Sequence, residues 1–71
     1  MSYYNYHATA KKLISQNKLI GFYFTNKHNK ISPALVLVFN DFKHPLMPIR
    51  KHKWQEYFPL IKNAKELTLK Q

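Results

Sequence analysis

Arg50-Lys51-His52-Lys53 is the densest cationic segment of the chain, and it leads into a stretch that turns helical near Trp54. A helix start presents unpaired N–H groups and a partial positive charge. Cations placed there oppose the dipole, and together with it they favour an anion. A phosphate bound at that point would relieve the repulsion. Arg50 is the only arginine. Its planar fork can bridge two phosphate or base acceptors, whereas lysine acts as a point charge. Arg50 is therefore the residue expected to anchor an anionic ligand. Its plainer role would be a surface pair with Glu56 or Glu66, worth under about 1 kcal/mol. A polar turn carries Lys27, His28 and Lys30, and Lys11 and Lys12 extend the patch if their helix face is shared. The candidate nucleic-acid-binding residues are thus Lys11, Lys12, Lys27, His28, Lys30, Arg50, Lys51, His52 and Lys53.

Other chemistries find less support. The four histidines, His7, His28, His44 and His52, stand in no HExxH, HxH or CxxC-type arrangement, so no metal site is expected. There is no Walker loop and no GxGxxG, and no cofactor is expected. Asp41, Glu56 and Glu66 are the only carboxylates, and they fall in separate segments. A two-carboxylate acid–base pair or a metal-dependent nuclease would need them clustered. The expectation is a protein without catalytic residues. The enzymatic alternative is a metal-independent ribonuclease, with His28 or His52 beside Arg50 moving protons and stabilising a pentavalent phosphate.

Charge dominates the composition. Twelve Lys and Arg face three Asp and Glu, a formal +9 in 71 residues, and no acidic residue occurs before Asp41. Such a field attracts polyanions. Nucleic acid is the leading partner expected from it, and an acidic protein surface is the second. Eleven of the twelve cations are lysine and six residues are asparagine, a bias that an AT-rich genome would also produce. The absence of cysteine excludes disulfides, thiolate metal sites and cysteine nucleophiles. No apolar run approaches a membrane span, and the N-terminal residues carry no secretory pattern, so the expectation is a cytoplasmic protein without a membrane partner.

The elements that must position these residues form one domain, 1–71. Hydrophobic residues make up 45% and aromatics 15%, enough for a packed core. So short a chain buries a modest fraction of its surface. Large aromatics offset that, and a homodimer would offset it further.

Residues 4–17 read as a helix, capped by Asn5 or Ser2, with Tyr6, Ala10, Leu13 and Ile14 on one face. Asn17 suits a left-handed end, and Lys18 suits the negative helix terminus. Residues 19–25 read as a strand by aromatic and β-branched content. Residues 34–39, Ala-Leu-Val-Leu-Val-Phe, form a continuous apolar run expected of a central strand buried on both faces. Residues 46–50 form a third strand, and Pro48 assigns it to an edge. Trp54, Tyr57, Phe58 and Ile61 sit at i, i+3, i+4 and i+7, which predicts a core-facing helix from about 52 to 58. Pro59 predicts a kink or a restart, with a final helix running from Pro59 to about Leu67. Tyr3, Tyr4 and Tyr6 form an aromatic cluster expected to close the core. The order predicted is α-β-β-β-α, an α+β domain with a three-stranded antiparallel meander and helices packed on one face.

That order, the chain length and the basic start of the last helix resemble the double-stranded-RNA-binding domain. Small toxin ribonucleases share the topology, and a three-stranded sheet with a C-terminal helix also resembles the sheet-type DNA readers of phage integrases. The chain lacks the loop glycines of the first and the histidine placement of the second, so no functional residue is carried over. The function expected is a small nucleic-acid-binding or regulatory protein using Lys and Arg phosphate contacts. The preponderance of lysine points to low sequence specificity, because bidentate base reading usually uses arginine. The alternative is a protein–protein module, such as a phage or mobile-element inhibitor that clamps an acidic host protein through edge strand 46–50.

Overall fold

The computed structural model describes residues 5–67. In chain order it contains α1 (Tyr6–Ser15), β1 (Leu19–Thr25), β2 (Ala34–Phe39), β3 (Leu46–Arg50), a single 3-10 turn (Lys51–Lys53) and α2 (Trp54–Ile61). The strands form one antiparallel sheet in the order β1-β2-β3. The α+β class and the α-β-β-β-α order are those predicted. Ser2, Tyr3 and Tyr4 lie outside the described residues.

Local chemistry sets the ends of α1. Asn5 has extended backbone, and its side-chain oxygen accepts from the Ala8 N–H at 2.9 Å. At the other end Asn17 sits at φ 61°, with its N–H bonded to the Ile14 carbonyl and the Lys18 N–H bonded to Leu13. This pair of bonds is a Schellman closure, made with asparagine in the position glycine usually holds. The Lys18 ammonium reaches Asp41 at 3.5 Å, so its charge serves a contact between loops as well as the helix end.

The central strand is buried along its length except at Val38, which is half-buried. Leu35, Leu37 and Phe39 face the helices and join Ala10, Leu13, Met47, Ile49, Tyr57 and Ile61 in one core cluster. Ala34 and Val36 are fully buried on the opposite side. Register places Tyr23 and Pro48 to either side of Val36. Burying a Leu or Ile side chain contributes about 1.5–3 kcal/mol, and Leu35, Leu37 and Ile49 each retain no exposure.

Two predictions about the last third are corrected. Pro59 does not restart the helix: α2 runs through it to Ile61 and stops. Proline has no N–H for the Gln55 carbonyl, but both residues are exposed, so water can take that bond. There is no helix from 62 to 67. Instead Lys65–Leu67 is extended and pairs in parallel with β1. The Phe22 N–H donates to Lys65 at 3.1 Å, and the Leu67 N–H donates to Phe22 at 2.7 Å. An open strand edge is a stronger attraction for these residues than another helical turn, because it offers paired backbone bonds and covers β1. Phe58 is also corrected. It is 39% exposed, and only Tyr57 and Ile61 of the predicted helical stripe are buried, with Trp54 packed at the margin.

The lone glycine makes the C-terminal pairing fit. A Cβ on Gly21 would stand 2.7 Å from the Lys65 carbonyl oxygen and 2.8 Å from the Leu67 side chain. Gly21→Ala should therefore unseat the 65–67 segment and lower stability by about 1–3 kcal/mol, the usual range for overpacking. Urea unfolding measures the loss, and fast hydrogen exchange at the Leu67 amide identifies its origin. A Gly21→Ala protein as stable as the parent would contradict this role.

Candidate anion and nucleic-acid interface

Strand alternation sends Met47 and Ile49 into the core and turns Leu46, Pro48 and Arg50 to the other side of β3. The connection between β1 and β2 swings across to meet them. Within it the His28 and Ile31 backbones exchange hydrogen bonds at 2.8 and 2.9 Å, closing a tight turn in which Asn29 takes φ 55°. Ser32 is tied to the same connection by a 2.7 Å bond from its hydroxyl to the Asn26 carbonyl. The Ser32–Pro33 peptide is cis.

Two adjoining cavities result, and Ile31 and Arg50 line both. The first, about 550 Å³, is completed by Ser32, Pro33, Lys51 and His52. The second, about 470 Å³, has rings from Tyr6, His7 and His28, the amide of Asn29, and apolar surface from Leu46 and Pro48. Both are open to solvent. Neither is lined by a carboxylate.

The carboxylates are engaged elsewhere. Glu56 binds Lys11 at 2.8 Å and Lys53 at 3.2 Å. The hydrogen bonds from Lys11 and then Lys53 hold its carboxyl down at about 2. Asp41 takes the His44 backbone N–H at 2.9 Å and lies 3.5 Å from Lys18. Glu66 lies in the extended segment against β1. The surface pair of Arg50 with Glu56 or Glu66 is therefore not formed. Glu56 stands in the first turn of α2, where its charge is favourable to the helix dipole.

The predicted cationic set divides. Arg50, Lys51, His52 and His28 converge on the two cavities. Lys27 and Lys30 are exposed on the same connection without lining either. Lys11 and Lys53 are held by Glu56, with Lys11 also 5.6 Å from the centre of the Tyr57 ring. Lys12 borders a separate depression shared with Lys18, Asp41, Lys43 and His44. Among the described residues no group of three or more His, Asp or Glu could hold a metal ion, and no helix is long and apolar enough to cross a membrane. Comparison with protein-family models, with curated proteins and with solved structures gives no match.

Sequence reading passed over His7 and assigned Tyr6 to the core. In the structure both belong to the first turn of α1 and line the second cavity. Tyr6 donates its hydroxyl to the Pro48 carbonyl at 2.9 Å, which ties the helix to the free edge of β3. His7 Nδ1 lies 2.6 Å from the hydroxyl of Tyr57. Burial, reinforced by the charge of Glu56, pushes that phenol up to about 12, so it keeps its proton. Among the described residues the buried phenol proton has no acceptor but Nδ1, so the phenol donates to it, which puts the imidazole proton of neutral His7 on Nε2. Burial, with help from the charge of Lys53, also lowers the pKa of His7 below its ordinary 6.5.

The sign of the resulting pH dependence follows. The unfolded chain takes up a proton at His7 more readily than the folded one does, so stability holds above pH 6.5 and falls as pH drops through that value toward the lower folded one. Urea unfolding as pH is lowered through 6.5 should show that fall in the parent. The fall should be smaller in His7→Asn, whose side-chain oxygen can accept from Tyr57 without titrating. Identical pH profiles for the two proteins would rule out His7 as the source.

Proposed function

We propose that this protein binds the phosphate backbone of nucleic acid, with Arg50 as the anchor and Lys51, His52 and His28 around it. One observation carries the reading: the only guanidinium of the chain is the shared wall of two solvent-open cavities that carry further cationic or cationisable side chains and no carboxylate. A guanidinium can hold two phosphate oxygens at once, and the Lys51 ammonium adds donors. Lys27 and Lys30 contribute longer-range attraction. Discrimination among sequences is low, because phosphate contacts position a ligand without reading bases. The formal +9 draws in any polyanion, and the cavities give that attraction a place to act.

Fluorescence anisotropy with short single- and double-stranded DNA and RNA at about 50 and 200 mM salt tests this, since phosphate-driven binding changes by orders of magnitude over that range. Arg50→Ala/Lys51→Ala should weaken binding by about tenfold or more and flatten the salt dependence by about two phosphate contacts. Its unfolding curve should stay close to that of the parent, because both side chains are exposed. A control of equal charge, Lys12→Ala/Lys62→Ala, should lose much less. Equal losses in the two double variants would reduce the site to a generic field. RNA incubated with the protein in EDTA should remain full length. Cleavage that disappears in His28→Ala would instead make the site a ribonuclease.

A further inference from the structure

We infer that the second cavity seats one unstacked nucleobase while Arg50 holds the adjoining phosphate, so that the preferred ligand is a single strand and not a duplex. The inference rests on the phosphate reading above and adds the ligand class. Three features of the cavity carry it.

The lining is suited to a flat, partly apolar group. Tyr6, His7 and His28 supply rings, and Leu46 and Pro48 supply apolar surface. Leu46 remains 44% exposed, so this surface is open to a ligand. Bases stack on such rings whatever their identity, because every base has a π face. The volume, about 470 Å³, falls in the range of small-molecule sites, roughly 300–1,000 Å³.

The polar groups are few and directional. With Nδ1 of His7 accepting from Tyr57, Nε2–H is the remaining ring donor. Asn29, held at φ 55° by the tight turn, adds an amide with both a donor and an acceptor. These groups suit the edge of a base, and the Asn29 carbonyl, an acceptor, would have no counterpart on an ionised phosphate.

Arg50 links the two spaces. Its side chain borders the ring-lined cavity on one side and the cavity of Ser32, Lys51 and His52 on the other. A base in the first and its phosphate in the second place the negative group beside the cations. A duplex offers its phosphates, but its base faces are stacked and cannot enter.

The test is anisotropy with a fluorescein-labelled oligouridylate, an abasic strand of the same length and phosphate count, and an RNA duplex. The parent should bind the base-bearing strand about tenfold more tightly than the abasic strand, the scale of one stacked base, and more tightly than the duplex. Leu46→Ser, which removes apolar surface and no charge, should narrow that gap without changing abasic binding. Leu46 is exposed, so the fold should persist, as far-UV circular dichroism would verify. Equal, salt-sensitive binding of both strands by the parent would overturn the base seat and leave the phosphate site standing. Tighter binding of the duplex would also overturn it. No binding of any of the three would overturn both.

Discussion

β2 has to be kept from water on both faces, and the arrangement of the other elements is how the chain does it. One face is covered by α1 and α2, which meet over Leu35, Leu37 and Phe39 through Ala10, Leu13, Tyr57 and Ile61. On the other face Ala34 and Val36 are buried between β1 and β3. Six consecutive apolar residues admit no edge position for β2, so β1 and β3 must flank it. The cavities lie where the connection leading into β2 meets β3 and the turn that follows it.

Both outer edges of the sheet are then modified. β1 carries the 65–67 segment along it, made close enough to pair by the missing side chain at Gly21. β3 contains Pro48, which cannot donate, and its carbonyl accepts the hydroxyl of Tyr6. That second device does more than cap an edge. It fixes the first turn of α1 against β3 and so puts His7 beside Arg50, Leu46 and His28. The fully buried Tyr57 hydroxyl completes the arrangement by selecting one tautomer of His7.

Electrostatics follows the same economy. With three carboxylates against twelve strong bases, the placement of each acid decides which cations are held in pairs. Glu56 takes Lys11 and Lys53, joining the two helices, and Asp41 takes Lys18, joining the α1–β1 corner to the β2–β3 connection. These pairs are exposed enough to contribute little individually. Their larger consequence is that no acid borders the Arg50 cavities. In the β2–β3 connection Phe42 is 99% exposed.

The sequence by itself determined the element order, the central position of residues 34–39 and the edge position of the strand holding Pro48. It also pointed to Asn5 and Asn17 as end residues of α1, although the helix is Tyr6–Ser15 and not 4–17. These features depend on local period, capping and the limits of proline, which are visible in a few neighbouring residues. It did not disclose the end of α2, because the pull on residues 65–67 comes from the edge of β1 more than forty residues earlier. For the same reason the exposed position of Phe58 was hidden: a helical stripe states which residues share a face, and packing decides how far around the helix the cover extends. Arg50, Lys51, His52 and His28 could be named as cationic candidates from composition alone. That Lys11 and Lys53 are held by Glu56, that Lys12 borders another depression, and that Tyr6 and His7 stand beside Arg50 were decided only by tertiary structure. The physical reason is that a site is a set of distances between segments far apart in the chain, and those distances exist only once β2 has been buried.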